Sequence, residues 1–347
     1  MLKVGIAGLG FMGWIHWLGY QKRDDVEVVA ICTPEEHRRQ GDWTDIQGNF
    51  GPPGEKVDLS GIATYADFDQ LLADETVEVI DICMPPSMHV DAIVKAAASG
   101  KHVFCEKPLA LNLADCDRAV AACQKHQRRL MVGQVLPFFV EYQYARQVID
   151  SGKFGNLLGG SFKRVISDPA WLKNFYDPTI IGGPLFDLHV HDAHFIRLLF
   201  GMPEKVFSCG RVRGEVVDYC NSIFKFADPA IAVTCTSGVI NQQGRPFTHG
   251  FEIHLEEATL QFEFAGFADQ PELMPLKILK ADGSVERPDL GDGDPVFAFG
   301  REIVEVATCL NEDRDSDLLN GKLARDAIEL CQMQAQSVME NRIVERG

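Results

Sequence analysis

Val4-Gly5-Ile6-Ala7-Gly8-Leu9-Gly10-Phe11-Met12-Gly13 decides the fold of this chain. An apolar run, Val4–Ala7, leads into a G-x-G-x-x-G pattern that opens a helix-like segment. Gly8, Gly10 and Gly13 suit a tight turn that brings backbone N–H groups and a helix N-terminus, with Phe11 and Met12 in its first turn, against a pyrophosphate. About ninety residues on, Glu106-Lys107-Pro108 follows a second apolar run, His102–Cys105. That spacing predicts one lysine at the carboxyl edge of the same sheet, where open α/β sheets bind their ligands. The first motif would hold a dinucleotide, and the second would present an acid or a charge to whatever reacts with it. A lone glycine pattern is weak evidence; the ordered pair is strong.

Around this pair the first 135 residues alternate short apolar runs with helical periodicity. Candidate strands are Lys3–Ala7, Val26–Ile31, Val79–Cys83, His102–Cys105 and Leu130–Val135. Helix-like segments such as Gly13–Arg23, His89–Ser99 and Leu113–Lys125 lie between them. Strands apolar on both faces and separated by helices imply a doubly wound parallel sheet. Arg38–Ile62 interrupts the alternation with Asn49-Phe50-Gly51-Pro52-Pro53-Gly54, and reads as an inserted loop, more a surface elaboration than a cover for the cofactor.

After about Leu136 the pattern changes. A helix over Phe139–Ser151 precedes alternating segments at Leu157–Ile166, Lys205–Arg213, Cys220–Phe226, Ala230–Val239, Phe251–Glu256, Thr259–Phe264 and Leu276–Lys280. Their period of two predicts a mostly antiparallel sheet with one solvated or partner-covered face. Helices near Phe297–Leu310 and Lys322–Met339 close the chain. The expected organisation is two domains, 1–135 and 136–347, as 347 residues exceed the reach of one core.

A net charge of −17 argues against sequence-independent nucleic-acid binding, which needs a basic surface. Ten cysteines without a C-x-x-C pair support neither a disulfide scaffold nor a structural zinc site. The apolar stretch after Lys3 is broken by the fingerprint glycines, unlike a secretory signal. No run reaches the ~18 apolar residues of a membrane helix. A reducing cytoplasm is the expected setting.

A third segment, Gly182-Gly183-Pro184-Leu185-Phe186-Asp187-Leu188-His189-Val190-His191-Asp192-Ala193-His194, opens with glycines and a proline suited to a helix entry. A helix over Leu185–Phe200 would put Asp187, His191 and His194 on one face, with His189 pointing elsewhere. A carboxylate and an imidazole one turn apart make a general acid–base unit.

The fingerprint, the Glu106-Lys107-Pro108 triplet, the Met84-Pro85-Pro86-Ser87-Met88-His89 segment and the Gly-Gly…Asp-x-x-x-His segment together resemble the glucose–fructose oxidoreductase/inositol dehydrogenase (Gfo/Idh/MocA) family over nearly the whole chain. The resemblance implies an N-terminal Rossmann domain and a C-terminal α/β domain whose open sheet often makes a homodimer or homotetramer contact. It implies an NAD(P)-dependent oxidoreductase acting on a sugar, polyol or related ring compound. By the same resemblance Lys107, Asp187 and His191 are the catalytic candidates, while Pro85, His89, Glu106 and Lys107 join the cofactor set. Departures surround the substrate pocket: Ile181 and His189 stand where the family has glycines, His194 where aspartate is frequent, and Pro137 where arginine is frequent.

Cofactor choice turns on the end of the second strand. Thr33 stands where Asp or Glu would meet a ribose 2′-hydroxyl. Thr33 with Arg38 suits a 2′-phosphate and so favours NADP slightly, while Glu35 suits the 2′-hydroxyl of NAD. The expected chemistry is hydride transfer between a carbinol C–H and nicotinamide C4. His191 would take the hydroxyl proton, Asp187 orient His191, and Lys107 stabilise the reacting oxygen. Trp171 and Tyr176 are candidates to pack on a sugar ring. Two other classes stay open: a metal-dependent hydrolase or lyase using Asp187, His189, His191 and His194, and a dinucleotide-binding sensor without turnover.

Overall fold

The computed structural model describes residues 1–291 and 293–347. Six parallel strands form the first sheet: β1 (Leu2–Ala7), β2 (Val26–Cys32), β3 (Ala63–Tyr65), β4 (Val79–Ile82), β5 (His102–Glu106) and β6 (Leu130–Gly133). Their order is β3-β2-β1-β4-β5-β6. The helices between them are α1 (Phe11–Tyr20), α2 (Glu36–Arg39), α3 (Phe68–Leu72), α4 (Pro86–Ala98) and α5 (Leu113–Lys125). Every residue of β4 and β6 is buried, as strands covered on both faces must be. The strand order reverses between β1 and β4, and their carboxyl ends form the switch point at which such sheets take ligands.

The Arg38–Ile62 insertion is no surface elaboration. Trp43 is fully buried, edge-on to Trp14 and Trp17 of α1 with ring centroids 5.9 and 5.0 Å apart. Trp14 Nε1 donates to the Pro52 carbonyl at 2.9 Å. The expected loop is therefore part of the core behind the fingerprint helix, held by three indoles that composition alone does not bring together.

The second sheet follows α6 (Val140–Asp150). Its strands are β7 (Leu157–Ser167) and, after α7 (Val190–Phe200), β8 (Lys205–Arg213), β9 (Val216–Lys225), β10 (Ala232–Ile240), β11 (Phe247–Leu255), β12 (Ala258–Gly266), β13 (Pro271–Lys280) and β14 (Val285–Glu286). The chain ends with α8 (Pro295–Asn311), α9 (Gly321–Glu340) and β15 (Val344–Glu345), which pairs with β8. Strand order is β14-β13-β12-β11-β7-β10-β9-β8-β15, antiparallel except for β7 with β10. One face packs on Tyr142 of α6, ringed by Phe195, Phe251 and Phe262. The other carries polar side chains such as Thr234, Glu252 and Gln261, in register with exposed Ile223.

Contacts divide the chain into two compact units, Met1–Phe138 with Gly293–Arg325, and Phe139–Asp292 with Asp326–Gly347. The first crossing lies near the single boundary expected from the sequence. The other two, at 292/293 and within α9 at 325/326, are not legible in the sequence: α8 belongs to the N-terminal unit, and presses Ile303 so closely on α1 that a Cβ on Gly19 would meet it at 2.4 Å.

Candidate active site

The fingerprint loop shows why Gly8 and Gly13 are glycines. Gly8 has φ +99°, and a Cβ there would lie 2.7 Å from the Cys83 carbonyl oxygen across the switch point. A Cβ on Gly13 would lie 2.2 Å from the Gly8 carbonyl oxygen, so only glycine lets α1 pack onto the loop. A Cβ on Gly10 would meet nothing within 4 Å, which leaves open space over the α1 N-terminus. No acidic side chain stands in the first turn of α1. The open cradle and the helix N-terminus fit a dinucleotide pyrophosphate.

At the end of β2 the expected residues divide differently. Thr33 is buried and its hydroxyl donates to the Glu35 carboxylate. That hydrogen bond, with the nearby Arg38 and His37 charges, holds Glu35 below its usual range despite partial burial. Arg38 donates to the Leu9 carbonyl at 2.6 Å and to both Asp45 oxygens, at 3.3 and 2.6 Å. Arg39 donates to the Thr33 and Pro34 carbonyls, each at 2.7 Å. The expected Thr33–Arg38 phosphate pair is thus corrected. Arg38 ties the insertion to the fingerprint, and the group left at the strand end is a carboxylate.

The loops after β4 and β5 meet through His89. Its ring is fully buried, with Nδ1 2.8 Å from the Pro108 carbonyl oxygen and Nε2 2.8 Å from that of Met84. The His89 ring, expected among the cofactor contacts, therefore staples two loops together, while Pro85 stands just before α4 in the first of them. Glu106 is also turned inward. Its Oε1 lies 3.0 Å from His16 Nε2, and its Oε2 accepts the Lys107 backbone N–H at 3.0 Å. Lys107 is left at the carboxyl end of β5, as the sequence predicts, partly exposed and followed by a cis Lys107–Pro108 peptide.

His16, on the fingerprint helix, belongs to a buried cluster not anticipated from the sequence. Its Nδ1 lies 2.9 Å from Asp81 Oδ2, which also accepts from Tyr20 Oη at 2.9 Å. A histidine in an apolar helix and an aspartate in an apolar strand were the available signals. Burial would lower His16, but Asp81, Cys83 and their hydrogen bonds outweigh it and raise the imidazole well above its usual range. Among the described residues, His16, Asp81 and Cys83 form the one trio with metal-ligand spacing, their atoms within 4.8 Å of one another. Burial pushes the Cys83 thiol far up, and carboxylates already bracket the imidazole at 2.9 and 3.0 Å. The cluster is a hydrogen-bond network.

Glu302 of α8 faces this network with both oxygens buried and without a hydrogen-bond partner among the described residues. Burial first, then the Glu106 charge, raises its carboxyl well above the usual range. Below about pH 4 the folded and unfolded states both hold the proton, and the shift costs nothing. Above the unfolded value of ~4.3 only the unfolded chain releases it, and stability falls with pH until the folded carboxyl ionises. Glu302→Gln should therefore raise the melting temperature by roughly 2–4 °C or more near pH 8 and by little near pH 4. Equal gains in melting curves at both pH values would refute the assignment.

In the other unit, Gly182 and Gly183 enter the third segment at φ +83° and +74°. The helix that follows is not uniform. Leu185–His189 is a π-turn, and the α-helix begins at Val190 and ends at Gly201. One extra residue in the turn shifts the register, and such turns recur at functional sites. Asp187 and His191 remain partly exposed, whereas His194, one helical turn beyond His191, is buried. His189 is a core group, with Nε2 2.7 Å from Gln334 Oε1, and burial holds it below its usual range. Asp192 receives Arg164 in a buried ion pair at 2.6 and 3.3 Å. Asp187, His189, His191 and His194 do not gather within metal-ligand distance, so the hydrolase alternative has no assembled ligand set.

The two aromatic candidates also separate. Tyr176 donates to Asp168 at 2.7 Å and lies under the Arg213 guanidinium at 4.1 Å, so it belongs to the fold. Trp171 is 66% exposed and remains available to a ligand.

Comparison with known proteins gives these features a context. Residues 2–134 match the model of an oxidoreductase family with an NAD-binding Rossmann fold, and residues 142–261 match the GFO/IDH/MocA C-terminal domain. The chain is 28% identical to myo-inositol 2-dehydrogenase of Thermotoga maritima over 264 residues, covering 74% of this chain and 72% of that protein. It is 31% identical to 2,7-anhydro-N-acetylneuraminate hydratase of Mediterraneibacter gnavus, covering 59% of this chain but only 51% of that protein. The match to the first curated relatives spans about half their length. A levoglucosan dehydrogenase solved with NADH and levoglucosan superposes with a TM-score of 0.79 at 21% identity, over 99% of each chain. That likeness concerns the fold.

Proposed function

The chain belongs to the Gfo/Idh/MocA oxidoreductase family, and we propose that it transfers a hydride between NAD and a secondary alcohol or carbonyl of a sugar, polyol or related ring compound. The observation that carries this reading is the open glycine cradle at the β1–β4 switch point in a family-matched NAD-binding domain, with Lys107 at the end of β5. Gly8, Gly10, Phe11, Met12 and Gly13 would hold the pyrophosphate. Bound nicotinamide supplies the hydride acceptor or donor. Lys107 donates a hydrogen bond to the reacting oxygen, His191 takes or returns its proton, and Asp187 orients that imidazole. Trp171 offers an exposed ring to stack on the apolar face of the sugar. Inositol and levoglucosan, named for the relatives and neighbours, set the first substrate panel. Growth of NADH fluorescence with one of these compounds is the expected result. Cofactor binding without turnover across a wide polyol and aldose panel would favour the sensor.

For the nucleotide we infer NAD over NADP. An ionised Glu35 accepts from a ribose 2′-hydroxyl and repels a 2′-phosphate, while Arg38 is engaged by Asp45 and Leu9. Glu35→Ala should bring the two affinities together from a wild-type preference of ~10-fold or more for NAD, since a charged acceptor is worth about 1.5–3 kcal/mol. Arg38→Ala should weaken both alike. Selective loss of NADP binding in Arg38→Ala would restore the phosphate reading. A homodimer or homotetramer through the outer face of the nine-stranded sheet suits its exposed Ile223. Ten free cysteines suit a reducing cytoplasm, and no helix among the described residues is long and apolar enough to cross a membrane.

A further inference from the structure

The Gly133 backbone at the end of β6 opposes Glu106 in parallel register. A Cβ at Gly133 would stand 3.1 Å from Glu106 Oε1, so the glycine keeps a lane through which that carboxylate reaches His16. Four elements close around the imidazole: α1 with Tyr20, β4 with Asp81 and Cys83, β5 with Glu106 and a Phe104 ring stacked at 5.1 Å, and α8 with Glu302. Both ring nitrogens face carboxylate oxygens, which have only lone pairs to offer. A neutral ring satisfies one of them and turns a bare nitrogen on the other. A ring protonated on both nitrogens satisfies both, and its positive charge compensates two buried negative ones.

We propose that His16 is a positioning residue for Lys107: donating from both ring nitrogens, it ties Asp81 to Glu106, and the Glu106 carboxylate so fixed holds the Lys107 backbone N–H. The path is short and continuous. Nδ1 anchors on a central strand, Nε2 reaches Glu106 Oε1, and Oε2 of the same carboxylate takes the amide of the next residue. A carboxylate free to rotate would release that amide and let the loop beyond β5 drift, and a reacting group displaced by ~1 Å costs up to about 100-fold in rate. His16 thus links the helix beneath the cofactor to the residue that meets the substrate. The kinetic part of this inference rests on the proposed oxidoreductase reading; the structural part does not.

The test uses the whole chain as wild type, His16→Gln, Glu106→Gln and the double variant. Glutamine has one amide end and cannot donate to two carboxylates on opposite sides. In the wild type, nitrogen NMR of labelled histidine should show His16 protonated on both nitrogens near pH 8, and a neutral ring there overturns the proposal. Glu106→Gln should move the His16 ring signals and the Lys107 amide proton together; movement of one alone overturns it, and this arm does not depend on His16→Gln folding. Where His16→Gln folds, kcat should fall about 10–100-fold with KM and NAD affinity within about threefold. The double variant should be no slower than Glu106→Gln alone, because the two act in series. Unchanged kcat or additive losses overturn the proposal. If no substrate turns over with the wild type, the oxidoreductase reading has failed, and the two NMR arms still decide the role of His16.

Discussion

Lys107→Ala should lower turnover by ~10²–10³-fold, the usual cost of removing one donor from a developing oxyanion, and leave NAD affinity within a few-fold. The split follows from where the residue stands. Lys107 directly follows β5, which lies on the other side of β4 from β1 and β2. Its backbone N–H is held by the Glu106 carboxylate, a contact that truncating the side chain leaves in place. Lys107→Arg keeps the charge but spreads it over a planar fork, and should recover little. Fluorescence quenching reads NAD affinity separately from turnover. If the alanine variant no longer binds NAD, Lys107 belongs to the cofactor site and the role assigned here is wrong.

Which features the sequence disclosed follows from how far each depends on distant neighbours. Leu113–Lys125 and Lys205–Arg213 are observed as read, because the Asn112 side chain accepts the Asp115 N–H at the helix start and alternation marks the strand. β3 is a three-residue edge strand, too short to show a period. Trp43 was hidden because Gly and Pro around it say loop, while its burial depends on Trp14 and Trp17 across the chain. His89 lies in a recognised motif, but only the positions of the Met84 and Pro108 carbonyls reveal that its ring points inward. Nothing in Leu185–His189 announces a π-turn, and that turn changes the register of Asp187 against the α-helix that begins at Val190. Polar groups inside apolar elements were the signal left unused: His16 in α1 and Asp81 in β4 are both fully buried, and each has found its partner.

His191→Asn should remove the acid limb of the rate–pH profile along with most of the rate. Oxidation of an alcohol requires a base that is neutral before it accepts the proton, and an imidazole meets that condition on the alkaline side of its titration. Wild-type oxidation should therefore fall toward acid pH as the ring takes up its proton, and reduction, which needs the protonated ring, should show the opposite slope. Asparagine keeps a polar group of similar reach but cannot carry the proton, so a profile flat across this range is the expected signature. His194→Asn is the control: His194 is buried with the core of α7, so its loss should lower thermal stability and leave the acid limb in place. Asp187→Asn should slow turnover while keeping a limb, since the imidazole remains but loses its orienting charge. Activity abolished by exhaustive chelation, restored by a divalent ion and independent of NAD would overturn the hydride-transfer reading and return this face to the metal-dependent alternative.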